Sequence, residues 1–72
     1  MMIQGIPSIK INGSSNVRVY NHRGIRTVSD VYIELSSSIG PVCIAGKNMK
    51  IQEITGEFIS VDGKINRIYY KE

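Results

Sequence analysis

Hydrophobic residues in this chain recur at every second position, and most of them are β-branched. Successive side chains of a strand point to opposite faces, so the pattern predicts strands half buried on one side. Helical spacing is not sustained anywhere. Ser8 to Asn12 sets Ile9 and Ile11 against Lys10, and Asn12-Gly13-Ser14-Ser15 supplies turn chemistry. Val17 and Val19 then alternate with Arg18 and Tyr20.

Asn21-His22-Arg23-Gly24 follows. Asn at the first position and Gly at the fourth predict a type I turn, with Gly24 at positive φ opening the next strand on a bulge. His22 is then expected at an exposed central position, its ring in water. Ile25 to Val28 resumes the alternation, Ser29-Asp30 turns the chain, and Val31, Ile33 and Leu35 share a face opposite Tyr32 and Glu34. Ser36 to Pro41 reads as a loop. Val42 to Ala45 is continuously apolar, which predicts a central strand covered on both faces.

Gly46-Lys47-Asn48 is read as a turn into Met49 to Ile54, and Thr55-Gly56 as a turn into Glu57 to Val61. Asp62-Gly63 is the strongest hairpin signal, favouring a two-residue type I′ turn. In the final run Ile68 and Tyr70 are in phase, whereas Ile65 is out of phase and marks a bulge. About eight short strands result, which predicts an all-β domain: one small antiparallel meander closing into a barrel, roll or small sandwich. Closure, or pairing with a neighbour, would hide the edge strands.

Length and composition then limit the chemistry. Seventy-two residues form a single domain, positions 1–72, with a core worth only roughly 3 to 5 kcal/mol net. One cysteine and one histidine exclude an internal disulfide and give no zinc-ligand cluster, so no metal or cofactor is expected and self-association is the expected support. Cys43, between Val42 and Ile44, reads as a small buried or half-buried hydrophobe in a reducing compartment. The amino end, MMIQGIPSIKI, breaks at Gly5 and Pro7 and lacks the apolar length of a signal peptide or membrane span, so a cytoplasmic protein is expected.

Charge is asymmetric: Lys10, Arg18, Arg23 and Arg26 precede Asp30 with no carboxylate among them, while the remainder is slightly acidic. The plainer reading is solvated strand faces; the sharper ones are an anionic partner or head-to-tail packing of identical subunits. No nucleophile elbow, phosphate loop or dinucleotide fingerprint occurs, and the seven glycines are spaced like turns. An enzyme is not expected. His22, Arg23 and Arg26 are the candidate binding residues, since two guanidiniums on one loop offer forked donors to a phosphate or carboxylate. Asn21, Gly24, Asp62 and Gly63 are assigned as structural turn residues. A nucleic-acid-binding β-barrel is the alternative, but Tyr20, Tyr32, Phe58, Tyr69 and Tyr70 are dispersed over the chain and no stacking platform is evident.

The runs IPSIKINGSSNVRVYNHRGI, VCIAGKNMKIQEI and GEFISVDGKINRIYY together resemble the YabP/YqfC family of sporulation proteins, the YqfC branch in particular. The most specific parts are the Asn-His-x-Gly-Ile turn at 21–25, the pattern Ile-x-Gly-x-x-apolar-x-Ile at 44–51, and the Gly-x-Ile-x-x-Ile-x-aromatic ending at 63–70. The resemblance implies a small all-β protein of endospore-forming bacteria, non-catalytic, made in the mother cell. It also implies partnership with a sporulation membrane protein encoded beside it, in assembly at or near the developing spore. Joined with the self-association expected from size, the expected role is assembly with itself or with that partner, peripheral at the forespore membrane. Where the family often has an acidic residue before Asn-His, this chain has Tyr20.

Overall fold

The computed structural model describes residues 7–71. The break at Gly5, and most of the run read above as too short for a signal, lie outside them. Six strands form: β1 (Ser8–Asn12), β2 (Asn16–Tyr20), β3 (Ile25–Val28), β4 (Tyr32–Leu35), β5 (Val42–Ile54) and β6 (Phe58–Tyr70). They make one antiparallel sheet in the order β1-β2-β6-β5-β4-β3, and no helix occurs among the described residues. The all-β expectation holds, but the sheet is open. The outer strands β1 and β3 do not pair, so the barrel does not close.

Two of the expected turns are absent, which is why six strands stand where about eight were predicted. Gly46-Lys47-Asn48 and Asp62-Gly63 both lie inside 13-residue strands, β5 and β6. There the two strands bend together, with register shifts between Ala45 and Gly46 and between Lys47 and Lys50. Extra residues on one strand of an antiparallel pair bend it and sharpen its twist. Gly46 and Gly63 make the bend possible. A Cβ at Gly46 would stand 2.0 Å from the Lys64 carbonyl oxygen, and one at Gly63 would stand 2.7 Å from the Met49 Cα. Gly63 also has φ 139°, a conformation that only glycine adopts freely. The expected bulge near Ile65 is present: Ala45 faces Arg67 and Gly46 faces Ile65, leaving Asn66 extra.

The bend folds one half of the sheet over the other. β1, β2 and the first part of β6 form one half; β3, β4 and the first part of β5 form the other. Val17, Val19, Ile59 and Val61 from the first half share a core with Ile33, Leu35, Val42 and Ile44 from the second, all eight fully buried. The alternation read from sequence selects these residues correctly. Two others assigned to the same faces are exposed: Ile11, on the edge strand β1, at 56%, and Val31, in the β3–β4 turn, at 53%.

The halves are tied at the bend in matching ways. The β1–β2 turn accepts the Gly63 and Ile65 N–H groups on the Ser15 and Ser14 carbonyls. The β3–β4 turn accepts the Gly46 and Met49 N–H groups on the Val31 and Asp30 carbonyls. Segment 21–24 is therefore not a hairpin turn. β2 and β3 lie at different places in the sheet, so these residues cross from one half to the other.

Candidate functional site

The crossover fixes His22 and Arg23. Asn21 takes φ 64° and donates its N–H to the Glu57 carbonyl at 3.0 Å, anchoring the end of β2 to the β5–β6 turn. Gly24 has positive φ, as expected, and closes the segment by accepting the Ser36 N–H at 2.9 Å, while Arg23 donates its N–H to the Ser36 carbonyl at 2.7 Å. His22 departs from expectation. Its Nδ1 accepts the Gly24 N–H at 3.0 Å, and its ring is half-buried, with Nε2 shielded from water and lacking a partner among the described residues. The ring is thus part of the crossover and not a free turn tip. Arg23 is exposed.

Arg26 lies elsewhere. It stands at the register shift of β3, and its Nε approaches the Glu34 Oε2 at 3.5 Å. The basic turn therefore does not present three adjacent free groups: His22 is engaged with its own backbone, Arg26 with a carboxylate, and Arg23 alone projects. Asp62 and Gly63, assigned to a turn, sit in the middle of β6. The Asp62 carboxylate accepts the Asn16 Nδ2 at 2.6 Å on the outer face of the first half.

Glu34, placed by the alternation on the face opposite Ile33 and Leu35, is itself buried. Only 6% of it is exposed. Its Oε1 accepts the Tyr32 hydroxyl at 2.7 Å and lies 3.6 Å from the Lys71 Nζ. The Tyr32 oxygen also lies 3.2 Å from the Cys43 Sγ. The phenol has one proton, shared unequally: the carboxylate at the shorter contact is the main acceptor and the Cys43 sulfur the longer, weaker one. Cys43 is fully buried, as expected, with a free thiol. A clue was available in the apolar run Val42 to Ala45. If both faces of that strand are covered, something must shield Cys43, and on β4 Glu34 pairs with Cys43 while Tyr32, two residues away on the same face, pairs with Ala45.

The electrostatics make this cluster a clamp. The Tyr32 hydrogen bond holds the Glu34 carboxyl below its ordinary value, burial opposes this, and Lys71 and Arg26 reinforce it. Tyr32 is pushed well above the ordinary phenol range, first by Cys43 and then by Glu34. Neither group therefore exchanges protons near neutrality, which suits structure better than acid–base work. The clamp ties β3, β4, β5 and the residue after β6 on the outer face of the second half.

Among the described residues no group of three or more His, Cys, Asp or Glu side chains gathers as a metal site. No helix among them is long and apolar enough to cross a membrane. One concave feature is notable, a groove of about 220 Å³ lined by Ile11, Gly13 and Ser14 of the first hairpin and by Ile65, Asn66, Arg67 and Ile68 of β6. Sequence reading did not bring these two stretches together, because the contact depends on the bend.

Comparison with known proteins agrees with the resemblance noted in the sequence. No solved structure matches this chain. A curated protein of Bacillus subtilis (strain 168), the uncharacterized protein YqfC, is 31% identical over 71 residues, covering 99% of this chain and 76% of that protein. The family model that matches is described as the YabP family, and the match spans residues 4–72. With the family pattern running through both halves of the sheet and across the bend, the chain belongs to the YabP family.

Proposed function

We propose that this chain is a non-enzymatic sporulation protein that works by assembly, with itself or with a membrane-protein partner, during endospore formation. The single observation that carries this reading is the open sheet. β1 and β3 leave a row of backbone donors and acceptors unpaired among the described residues, and apolar Ile11, Ile25 and Val28 on them are exposed. Exposed edges of this kind are templates for pairing with another chain. Family membership supports the sporulation setting; the location that goes with this proposal is the mother-cell cytoplasm, peripheral at the forespore membrane through the partner.

Catalysis finds no support in the geometry. His22 and Cys43 could in principle form a base and a nucleophile, but the first is bonded to the Gly24 backbone and the second lies under Tyr32. The nucleic-acid alternative draws on one grouping, Tyr20 and Phe58 with ring centroids 5.3 Å apart on an outer face. Arg18 already lies 4.9 Å over the Phe58 ring, occupying the surface a base would need. Assembly is the better-supported reading.

The test pairs the tagged chain with the membrane protein encoded beside it in a sporulating host. Specific co-capture is expected, and Arg23→Glu is expected to reduce it at unchanged fold, because Arg23 is exposed and its side chain has no ion pair among the described residues. Arg26 is a poor choice for that control, since it serves Glu34. Equal capture by wild type and Arg23→Glu would clear the crossover of a binding role. Failure of wild type to capture the membrane protein and to self-associate would contradict the assembly reading.

A further inference from the structure

The groove beside β6 lies where that strand's outer edge comes free. β2 covers the edge from Phe58 to Asp62, and the β1–β2 turn covers Gly63 and Ile65; past Ile65 it has no partner among the described residues. Ile11, Ile65 and Ile68 line the depression and Arg67 stands on it. The Arg67 guanidinium lies 4.6 Å over the Tyr69 ring and makes no ion pair among the described residues. This arrangement suits an extended apolar segment carrying a carboxylate.

The same molecule presents such a segment at the β5–β6 hairpin tip. Ile54 is 54% exposed, and the exposed carboxylates of Glu53 and Glu57 flank it without an ion pair among the described residues. The tip is stiff, because the Thr55 Oγ1 accepts the N–H groups of Glu57 and Phe58 at 3.1 and 3.0 Å. A rigid segment loses little entropy on docking. Tip and groove are separated along β6 by seven or more residues at roughly 3.3 Å each, so a copy's own tip does not reach its own groove.

We propose that the hairpin tip of one copy seats Ile54 in the groove of the next, with Glu53 and Glu57 facing Arg67. The contact joins two different surfaces, so it is satisfied either reciprocally in a two-fold pair or head to tail in a ring or filament. It deepens the assembly reading above and rests on it.

The experiment measures mass by light scattering for the full chain, for Arg67→Glu, for Glu53→Lys/Glu57→Lys, and for an equal mixture of the two variants, with circular dichroism as a check on folding. All the altered side chains are exposed. Wild type is expected to exceed the mass of one subunit at tens of micromolar. Each variant alone is expected to associate about tenfold or more weakly. The mixture is expected to recover assembly, since each variant supplies the surface complementary to the other. A wild-type oligomer unchanged by either reversal would overturn this contact and leave the groove to a segment of another protein, with self-association intact. A wild type that stays monomeric would overturn the contact together with the self-association on which it rests.

Discussion

Gly46→Ala and Gly63→Ala are each expected to abolish cooperative folding, whereas Gly56→Ala, one turn away on the same hairpin, is expected to be silent. A methyl at Gly46 would meet the Lys64 carbonyl oxygen at 2.0 Å and its carbon at 3.1 Å, both backbone atoms. At Gly63 it would meet the Met49 Cα at 2.7 Å and the Asn48 oxygen at 2.8 Å, with φ at 139° adding strain. Neither backbone can move aside without undoing the bend that brings the two halves together. A cost of about 3 kcal/mol or more is expected, against a net stability of roughly 3 to 5 kcal/mol for a domain this small. Gly56 has open space around it and no positive φ, so alanine there should stay within about 0.5 kcal/mol of wild type. Thermal unfolding followed by circular dichroism distinguishes the two classes. Comparable melting of all three variants would mean that the glycines are not the hinge.

Loss of the Glu34 carboxylate is expected to be the next most damaging change. Glu34→Ala leaves the Tyr32 hydroxyl without its acceptor and brings Arg26 and Lys71 toward a site holding no anion; Glu34→Gln keeps an acceptor and loses only the charge. The melting temperature should fall more for alanine than for glutamine. The pH dependence has a definite sign. The folded carboxyl titrates below its ordinary value near 4.5, so the native state holds the ionised form more tightly than the unfolded chain does. Its contribution is complete above the unfolded value and is lost as pH falls through the folded one. Wild type should therefore lose melting temperature on acidification below about pH 4.3 more steeply than either variant. Because Arg26 and Lys71 are themselves more than half exposed, salt should weaken the ionic part of the clamp and leave the Tyr32 hydrogen bond. Parallel acid profiles for wild type and Glu34→Gln would show that the clamp contributes nothing through charge.

These residues also show where sequence was informative and where it was not. Strand faces were legible, because alternation is a local property: Val17, Val19, Ile59 and Val61 are buried as their phase requires. The turns at Asn12–Ser15 and Thr55–Gly56 were legible for the same reason. Asp62-Gly63 was not. Asp-Gly is equally suited to a two-residue hairpin and to a bend within a continuous strand, and the choice is made by distant partners, Ser14 and Ser15 on one side and Asn48 and Met49 on the other. His22 was misplaced by the same logic, since whether a turn closes a hairpin or crosses between halves depends on which strands pair. Glu34 was missed because a carboxylate opposite two core aliphatics normally faces water, and only the register between β4 and β5 sets it beside Cys43 and under its cations. The groove requires the β1–β2 turn to meet β6 across about fifty residues of sequence, a contact no local pattern announces.

Everything proposed for the groove and the edges requires β6 to run unbroken through Asp62-Gly63. Cross-strand proton contacts and amide exchange measured by NMR address that most directly. An unbroken β6 places Ile44 opposite Ile68 and Ile51 opposite Val61, and gives slowly exchanging amides at Gly63 and Ile65, which are bonded to Ser15 and Ser14. A tight hairpin, with Val61 paired to Lys64 and rapid exchange at Gly63, would contradict it.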